Sequence, residues 1–486
     1  MPRAFLLGLL MAVPFALAQA YPPEVFGLSF REEGGAWVYE GEGFRLVYVP
    51  GVGWAEPPSV PASPNLQPQR GGLTLELLKA LGYFKAPEAR LRLRAQKGYT
   101  RLVFDLPAPY ARREEGSYPG RLALSLPYLL PDLLGAKLPI PFKVRLLPER
   151  TELTLEAPPG RVYHYRLFPL EEPDRLVLDL YYLPPEKVEP LAEGVRYREV
   201  WGFAPEPIRI YLVEAQKGVL RPVGTPGKRA LGKDLAPGSI AVLNGGYFDP
   251  KTGTPIGLWV QDGVTVSYPY GRVAILWNEW DFFLGLPRYE AVVRSGERTL
   301  QVGLNLLPAR YTAYTVPGSV GRKGEEVALV KEDRVQGFCQ ARCPLPEGHW
   351  ALAYPQGSPP FPLEVGQRLS LYGRLEPPFR FALEGGPLLV KEGQYAFTLE
   401  GFNDRRPLEA LAPQAGVAVF RDGRLWLFAT EPTTPAALAR ALLDLGAWQA
   451  LRMDGGGSVQ LWVQGRLRFG PTPLRPIVSA LALFAP

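Results

Sequence analysis

Fifty-four prolines and 52 glycines are dispersed along the 486 residues rather than gathered into low-complexity runs. Proline removes a backbone donor and glycine opens the left-handed region, so this dispersal predicts short loops on β-rich domains. Glycines also cluster at three places. These are Leu243-Asn244-Gly245-Gly246-Tyr247-Phe248-Asp249, Leu383-Glu384-Gly385-Gly386-Pro387 and Arg452-Met453-Asp454-Gly455-Gly456-Gly457-Ser458. Consecutive glycines let backbone N–H groups approach and face an anion, with a carboxylate at the rim. One such turn is more often a surface turn whose Asp accepts local backbone bonds. Three of them in one chain read as walls of a single pocket.

The chain opens with Met1-Pro2-Arg3, an apolar stretch from Ala4 to Leu17, and Ala18-Gln19-Ala20. A basic start, a short apolar run and an A-x-A site predict a secretory signal peptide over 1–20, cleaved before Tyr21. No later segment is long and apolar enough for a membrane helix, so the expected mature chain is secreted, periplasmic or on the cell envelope. The net charge of +6 is spread rather than clustered. For an exported chain this favours peptidoglycan or another anionic, phosphate-containing glycan as partner over nucleic acid.

Only two histidines, His164 and His349, and two cysteines, Cys339 and Cys343, are present. A histidine-rich zinc hydrolase is hard to build from these. Cys339 and Cys343, four residues apart before Pro344, are expected to form a local disulfide. Chemistry should therefore rest on carboxylates, arginines and backbone N–H groups. No cofactor is expected, with a divalent ion held by carboxylates and carbonyls left open.

Residues 21–84 read as a small module with strand candidates, a Pro-rich linker and a helical pattern from Leu73 to Tyr83. Within 85–188, Arg101-Leu102-Val103-Phe104-Asp105-Leu106 returns as Arg175-Leu176-Val177-Leu178-Asp179-Leu180. Repeated R-L-V-x-D-L strands resemble the AMIN domain, a β-sandwich of envelope proteins associated with peptidoglycan. The resemblance implies a targeting role for this segment. Residues 195–486 read as one large mixed α/β (α+β) unit. A helix is predicted from Thr434 as N-cap to Gly446 as stop, feeding the strand that carries Asp454. The fold class expected for the whole chain is thus multidomain, all-β followed by mixed α/β.

Several motifs follow in order through this last unit. They are Asn244 to Asp249, Pro255-Ile256-Gly257, Asp262-Gly263, Gly386-Pro387-Leu388-Leu389-Val390, Asp454 to Ser458 and Arg475-Pro476-Ile477-Val478. This pattern is similar to the phosphodiester glycosidase family. Where that family carries an Arg-Thr pair before a strand, this chain has Ala412-Pro413-Gln414-Ala415-Gly416. The resemblance implies an exported hydrolase that cleaves the glycosidic bond of a sugar phosphodiester in envelope or exopolysaccharide material. The altered pair supports an alternative, a non-catalytic polysaccharide-binding protein on a glycosidase-like fold.

Glycosidic cleavage normally uses two carboxyl groups. Asp454 is the first candidate, with Glu384 and Asp249 as possible partners for it. Asn244, Gly245, Gly246, Gly385, Gly386, Arg452, Gly455, Gly456, Gly457 and Ser458 are the candidate substrate-binding residues. Asp262-Gly263 and Asp422-Gly423 read as hairpin turns.

Overall fold

The computed structural model describes residues 19–57, 66–96, 98–109, 116–119, 121–156, 162–204, 206–397, 402 and 405–485. Most of the expected signal peptide, residues 1–18, lies outside the described residues, as does 58–65 of the Pro-rich linker. The chain divides into two compact units, Met1–Pro185 and Glu186–Pro486.

In the first unit, a five-stranded sheet pairs Arg90–Gln96, Tyr99–Asp105, Arg175–Leu183, Val162–Leu170 and Gly116–Pro119 in that order. The two echoing segments are direct antiparallel neighbours, with Arg101 opposite Asp179. Their side chains form a bidentate ion pair of 2.7 Å per bond. Alternation sends Leu102, Phe104, Leu176, Leu178 and Leu180 into one core with Leu122, Leu124, Leu126, Leu153 and Leu155 of a three-stranded sheet. The period of two therefore produces two facing sheets, as expected of half-buried strands. The helical pattern after Leu73 begins later than its spacing suggests. Leu73–Thr74 is strand, and the helix is Leu75–Ala80, where Thr74 Oγ1 accepts the Leu77 N–H at 3.2 Å.

The second unit corrects the α/β expectation. The chain is nearly all β, with 53% strand and 8% helix. Its largest sheet has the order Lys187–Ala192, Val195–Phe203, Pro207–Ala215, Leu425–Thr433, Ala412–Val419, Gln449–Arg452, Leu388–Lys391 and Gln394–Tyr395. Among the described residues of this unit, every strand pairing is antiparallel except Gly303–Leu304 with Thr312–Ala313. Antiparallel neighbours are joined by turns and need no crossover helix. The expected helix does form as Pro435–Asp444, with Thr434 Oγ1 accepting the Ala437 N–H at 3.2 Å. It stands nearly alone, covering one face of the sheet through Leu438 and Leu442 against Leu212, Phe428 and Ala450.

The opposite face of that sheet packs on two five-stranded sheets. Val213, Val417, Leu427 and Leu451 share a core with Leu243, Leu461, Leu481, Trp277 and Leu383. This layering carries the ends of Ala241–Asn244, Phe381–Glu384 and Gln449–Arg452, and so the three glycine turns, toward one place. A seven-stranded sheet with its own core, around Val293, Val330 and Leu352, fills the region 289–375. Cys339 and Cys343 are disulfide-bonded, with Cα atoms 5.8 Å apart. No helix among the described residues is long and apolar enough to cross a membrane.

Candidate active site

Asn244 ends its strand fully buried. Its amide N–H donates to the Asp454 carbonyl at 2.6 Å, and its amide oxygen accepts the Gln460 N–H at 3.1 Å. The side chain thus brackets the whole Asp454–Gln460 turn, and both ends of the amide are committed to the protein. Gln460 extends the clamp, its Oε1 accepting the Gly232 N–H at 3.1 Å and the Trp462 indole N–H at 3.0 Å.

Most of the glycines serve close approach of protein to protein. A side-chain carbon on Gly245 would fall 2.5 Å from Ser479 Oγ, and one on Gly246 2.5 Å from the Glu384 carbonyl oxygen. Gly385 is pressed in the same way on the Arg452 carbonyl, and the Gly386 N–H donates to that oxygen at 2.7 Å. The three turns are therefore locked together by backbone contacts that no larger residue permits. The Asp454 turn differs. A carbon on Gly455 would overlap the Arg452 guanidinium, one on Gly457 would lie 3.0 Å from that of Arg475, and Gly456 (φ +61°) faces open space. The N–H groups of Gly456 and Gly457 have no hydrogen-bond partner among the described residues.

Asp454 is partly exposed at its surface yet densely surrounded. Burial pushes its carboxyl above the ordinary Asp value, opposed by Ser458, Arg452, Arg475 and the Gly455 N–H. The Ser458 hydroxyl is buried without a hydrogen bond of good geometry. Its nearness to the carboxylate still favours the charged form, because a dipole acts beyond the strict geometric limits. Arg452 is buried, its Nε donating to Gln414 Oε1 at 2.6 Å and its Nη1 to the Tyr247 hydroxyl. Gln414 is fixed in turn by the carbonyls of Ala412 and Thr433, at 2.9 and 2.8 Å. Arg475 is exposed, and its guanidinium has no ion pair among the described residues.

Glu384 is buried, and all of its acceptor capacity is used. Oε2 accepts the N–H groups of Leu258 and Tyr270, both at 2.9 Å, and Oε1 accepts the Arg272 N–H at 3.1 Å and its Nε at 3.2 Å. Burial pushes this carboxyl up from its ordinary value, against Arg272 and the three backbone donors. Arg272 lies 4.4 Å from the centre of the Tyr247 ring and 5.2 Å from that of Phe402. Tyr247 closes the group by donating its hydroxyl to the Gly386 carbonyl at 2.7 Å.

The structure thus brings Asn244, Gly245, Gly246, Glu384, Gly385, Gly386, Arg452 and the Asp454–Ser458 turn into one contiguous cluster. Asp249 takes no part in it: its carboxylate accepts the Lys251 N–H at 2.8 Å within its own turn. Among the described residues no three His, Cys, Asp or Glu side chains gather as a metal-holding group. Sequence patterns gave no role to Tyr247, Arg272, Gln414, Gln460, Arg475 or Ser479. Of these, Tyr247, Gln414 and Arg475 lie in the motif segments quoted above, whereas Arg272, Gln460 and Ser479 have no local signal.

Residues 362–484 match the family model described as phosphodiester glycosidase. This span includes Glu384, Arg452, Asp454 and Arg475, and excludes Asn244 and Arg272. The crystal structure of a hypothetical protein from Synechocystis aligns over 95% of this chain and 92% of its own, at 20% identity and a TM-score of 0.51. That likeness concerns the fold. The zebrafish N-acetylglucosamine-1-phosphodiester alpha-N-acetylglucosaminidase catalytic domain, auto-inhibited by its pro-peptide, aligns more loosely. There the TM-score is 0.35 at 15% identity, over 63% of this chain and 85% of that one. No curated protein matches this chain.

Proposed function

We propose that the Glu186–Pro486 unit is a hydrolase that breaks the glycosidic bond of a sugar joined through phosphate to a second group. The observation that carries this is the exposed Arg475 guanidinium, without an ion pair among the described residues, against Gly457 and next to the partly exposed Asp454 carboxylate. A phosphodiester anion would have a cation to meet there, with the Gly456 and Gly457 N–H groups beside it. Asp454 stabilises the positive charge that develops on the sugar, or attacks it directly. A departing phosphate monoester has a second pKa of about 6 and needs little protonation. A second open carboxyl is therefore dispensable, and we assign Glu384 to anchoring Arg272 rather than to proton transfer.

Gln414 supports the same assignment. It lies in the stretch that stands where the family carries its Arg-Thr pair, and its neutral amide oxygen accepts from Arg452 Nε, whose guanidinium lies against Gly455 of the Asp454 turn. It also favours a second reading, a unit that grips anionic glycan without turning it over, because one cation is missing. Export to the cell envelope and wall-polymer binding by an AMIN-like segment within 85–188 belong to the proposal. The pairing of the two R-L-V-x-D-L strands and the net charge of +6 support them.

Arg475→Ala tests the anion site. It should raise the KM for a sugar-1-phosphodiester by about tenfold or more, the worth of one charge-assisted hydrogen bond, with kcat little changed. Hydrolysis of a neutral aryl glycoside should not respond. Equal slowing on both substrates would remove Arg475 from phosphate binding, and a wild type that cleaves neither would favour the gripping role.

A further inference from the structure

A cleft of about 370 Å³ in the second unit lies apart from the Asp454 turn. Thr254, Pro255 and Tyr268 line it together with Asp333, His349 and Trp350 from the seven-stranded sheet region. Tyr268 is held rigidly, its hydroxyl donating to the Leu371 carbonyl at 2.9 Å and its ring edge-on to Tyr289 at 6.0 Å. Trp350 rests on the core of the same sheet and is only partly covered. Its indole N–H has no acceptor among the described residues. His349 uses Nδ1 on the Glu347 carbonyl at 3.0 Å, which leaves Nε2 available.

The cleft therefore offers a fixed tyrosine ring and a tryptophan ring in its lining, one indole donor, an imidazole nitrogen and one carboxylate acceptor. No lysine or arginine lines it, and Asp333 is its only acidic residue. Asp333 pairs loosely with Arg368 at 3.9 Å, and no unpaired cation lines the cleft to draw an anionic ligand. A ligand with an apolar face and several hydroxyl donors would have its face stacked and its hydroxyls accepted. We infer that this cleft is a second carbohydrate site, taking a neutral sugar ring of an oligosaccharide.

Its walls also form the back of the site around Asp454. Next to Pro255, the Ile256 N–H donates to the Tyr247 carbonyl at 2.8 Å, and the Ile256 carbonyl accepts from Arg272. Two residues beyond Tyr268, the Tyr270 N–H holds Glu384. A glycan chain bound in the cleft would thus lie on the same loops that shape the hydrolytic site. Only this service to a phosphodiester substrate rests on the proposed hydrolase, because the sugar site stands on its own residues.

The test is calorimetric titration of the full chain with chitotriose, cellotriose and maltotriose in turn. Saturable binding of at least one is expected, weakened about tenfold or more by Trp350→Ala. Asp333→Asn keeps the left-handed backbone (φ +60°) accessible and should weaken the same ligand several-fold. Asp454→Asn should leave this binding unchanged. No binding of any of the three sugars would overturn the inference. So would binding that both Trp350→Ala and Asp333→Asn leave intact while they melt as the wild type does. Failure to hydrolyse a sugar-1-phosphodiester with trisaccharide binding preserved would count against the hydrolase alone.

Discussion

Replacing Asp454 with Asn is expected to lower diester hydrolysis by about a thousandfold or more, while the fold and the affinity for the diester persist. Asn keeps the size of the side chain, and the turn is held independently through Asn244, whose amide grips the Asp454 carbonyl rather than its carboxylate. What disappears is the negative charge opposite the developing oxocarbenium. Because burial raises the Asp454 pKa above its unfolded value, the fold favours the protonated form. The stability this group lends is complete below the unfolded pKa and lost as pH rises through the folded one. Above the folded pKa the ionised carboxylate is thus held at a cost, so at such pH Asp454→Asn should melt at the wild-type temperature or higher. On the proposed mechanism the ionised form does the chemistry, so kcat/KM of the wild type should fall on acidification at a pH above the ordinary carboxylate range. Full activity in Asp454→Asn would remove Asp454 from the reaction.

Glu384→Gln should behave in the opposite way, losing stability first and activity as a consequence. The wild-type carboxylate accepts four N–H groups, one of them from the buried Arg272. An amide in its place turns an NH2 toward donors and leaves the Arg272 charge without its partner. Removing one member of a buried ion pair costs about 3–5 kcal/mol. Chemical denaturation should show a loss of that size. A variant as stable as the wild type but inactive would instead make Glu384 a direct participant in catalysis.

The two carboxylates show what local sequence can and cannot carry. Each stands beside consecutive glycines at a strand end, and nothing within either motif separates a reactive group from an anchor. The donors that saturate Glu384 come from residues 258–272, more than a hundred positions earlier. Pairing across that distance is set by sheet order, which strand patterns do not specify. The convergence of the three turns was legible, because glycine clusters closing apolar runs need close backbone neighbours. Their purpose was only partly so: Gly245, Gly246 and Gly385 admit protein backbone, and only the Asp454 turn keeps a face toward solvent. The α/β expectation grew from a single well-capped helix, Pro435–Asp444, set among strands whose antiparallel pairing needs no others. Arg475 stands out only once folding places it against Gly457.

The most direct measurement is hydrolysis of a sugar-1-phosphodiester in ¹⁸O-labelled water, followed by mass analysis of both products. If Asp454 serves attack at the sugar carbon, the carbon–oxygen bond breaks and the label enters the released sugar, leaving the phosphomonoester unlabelled. Label in the phosphomonoester would mean that the phosphorus–oxygen bond breaks, and would contradict the assignment of this site as a glycosidase.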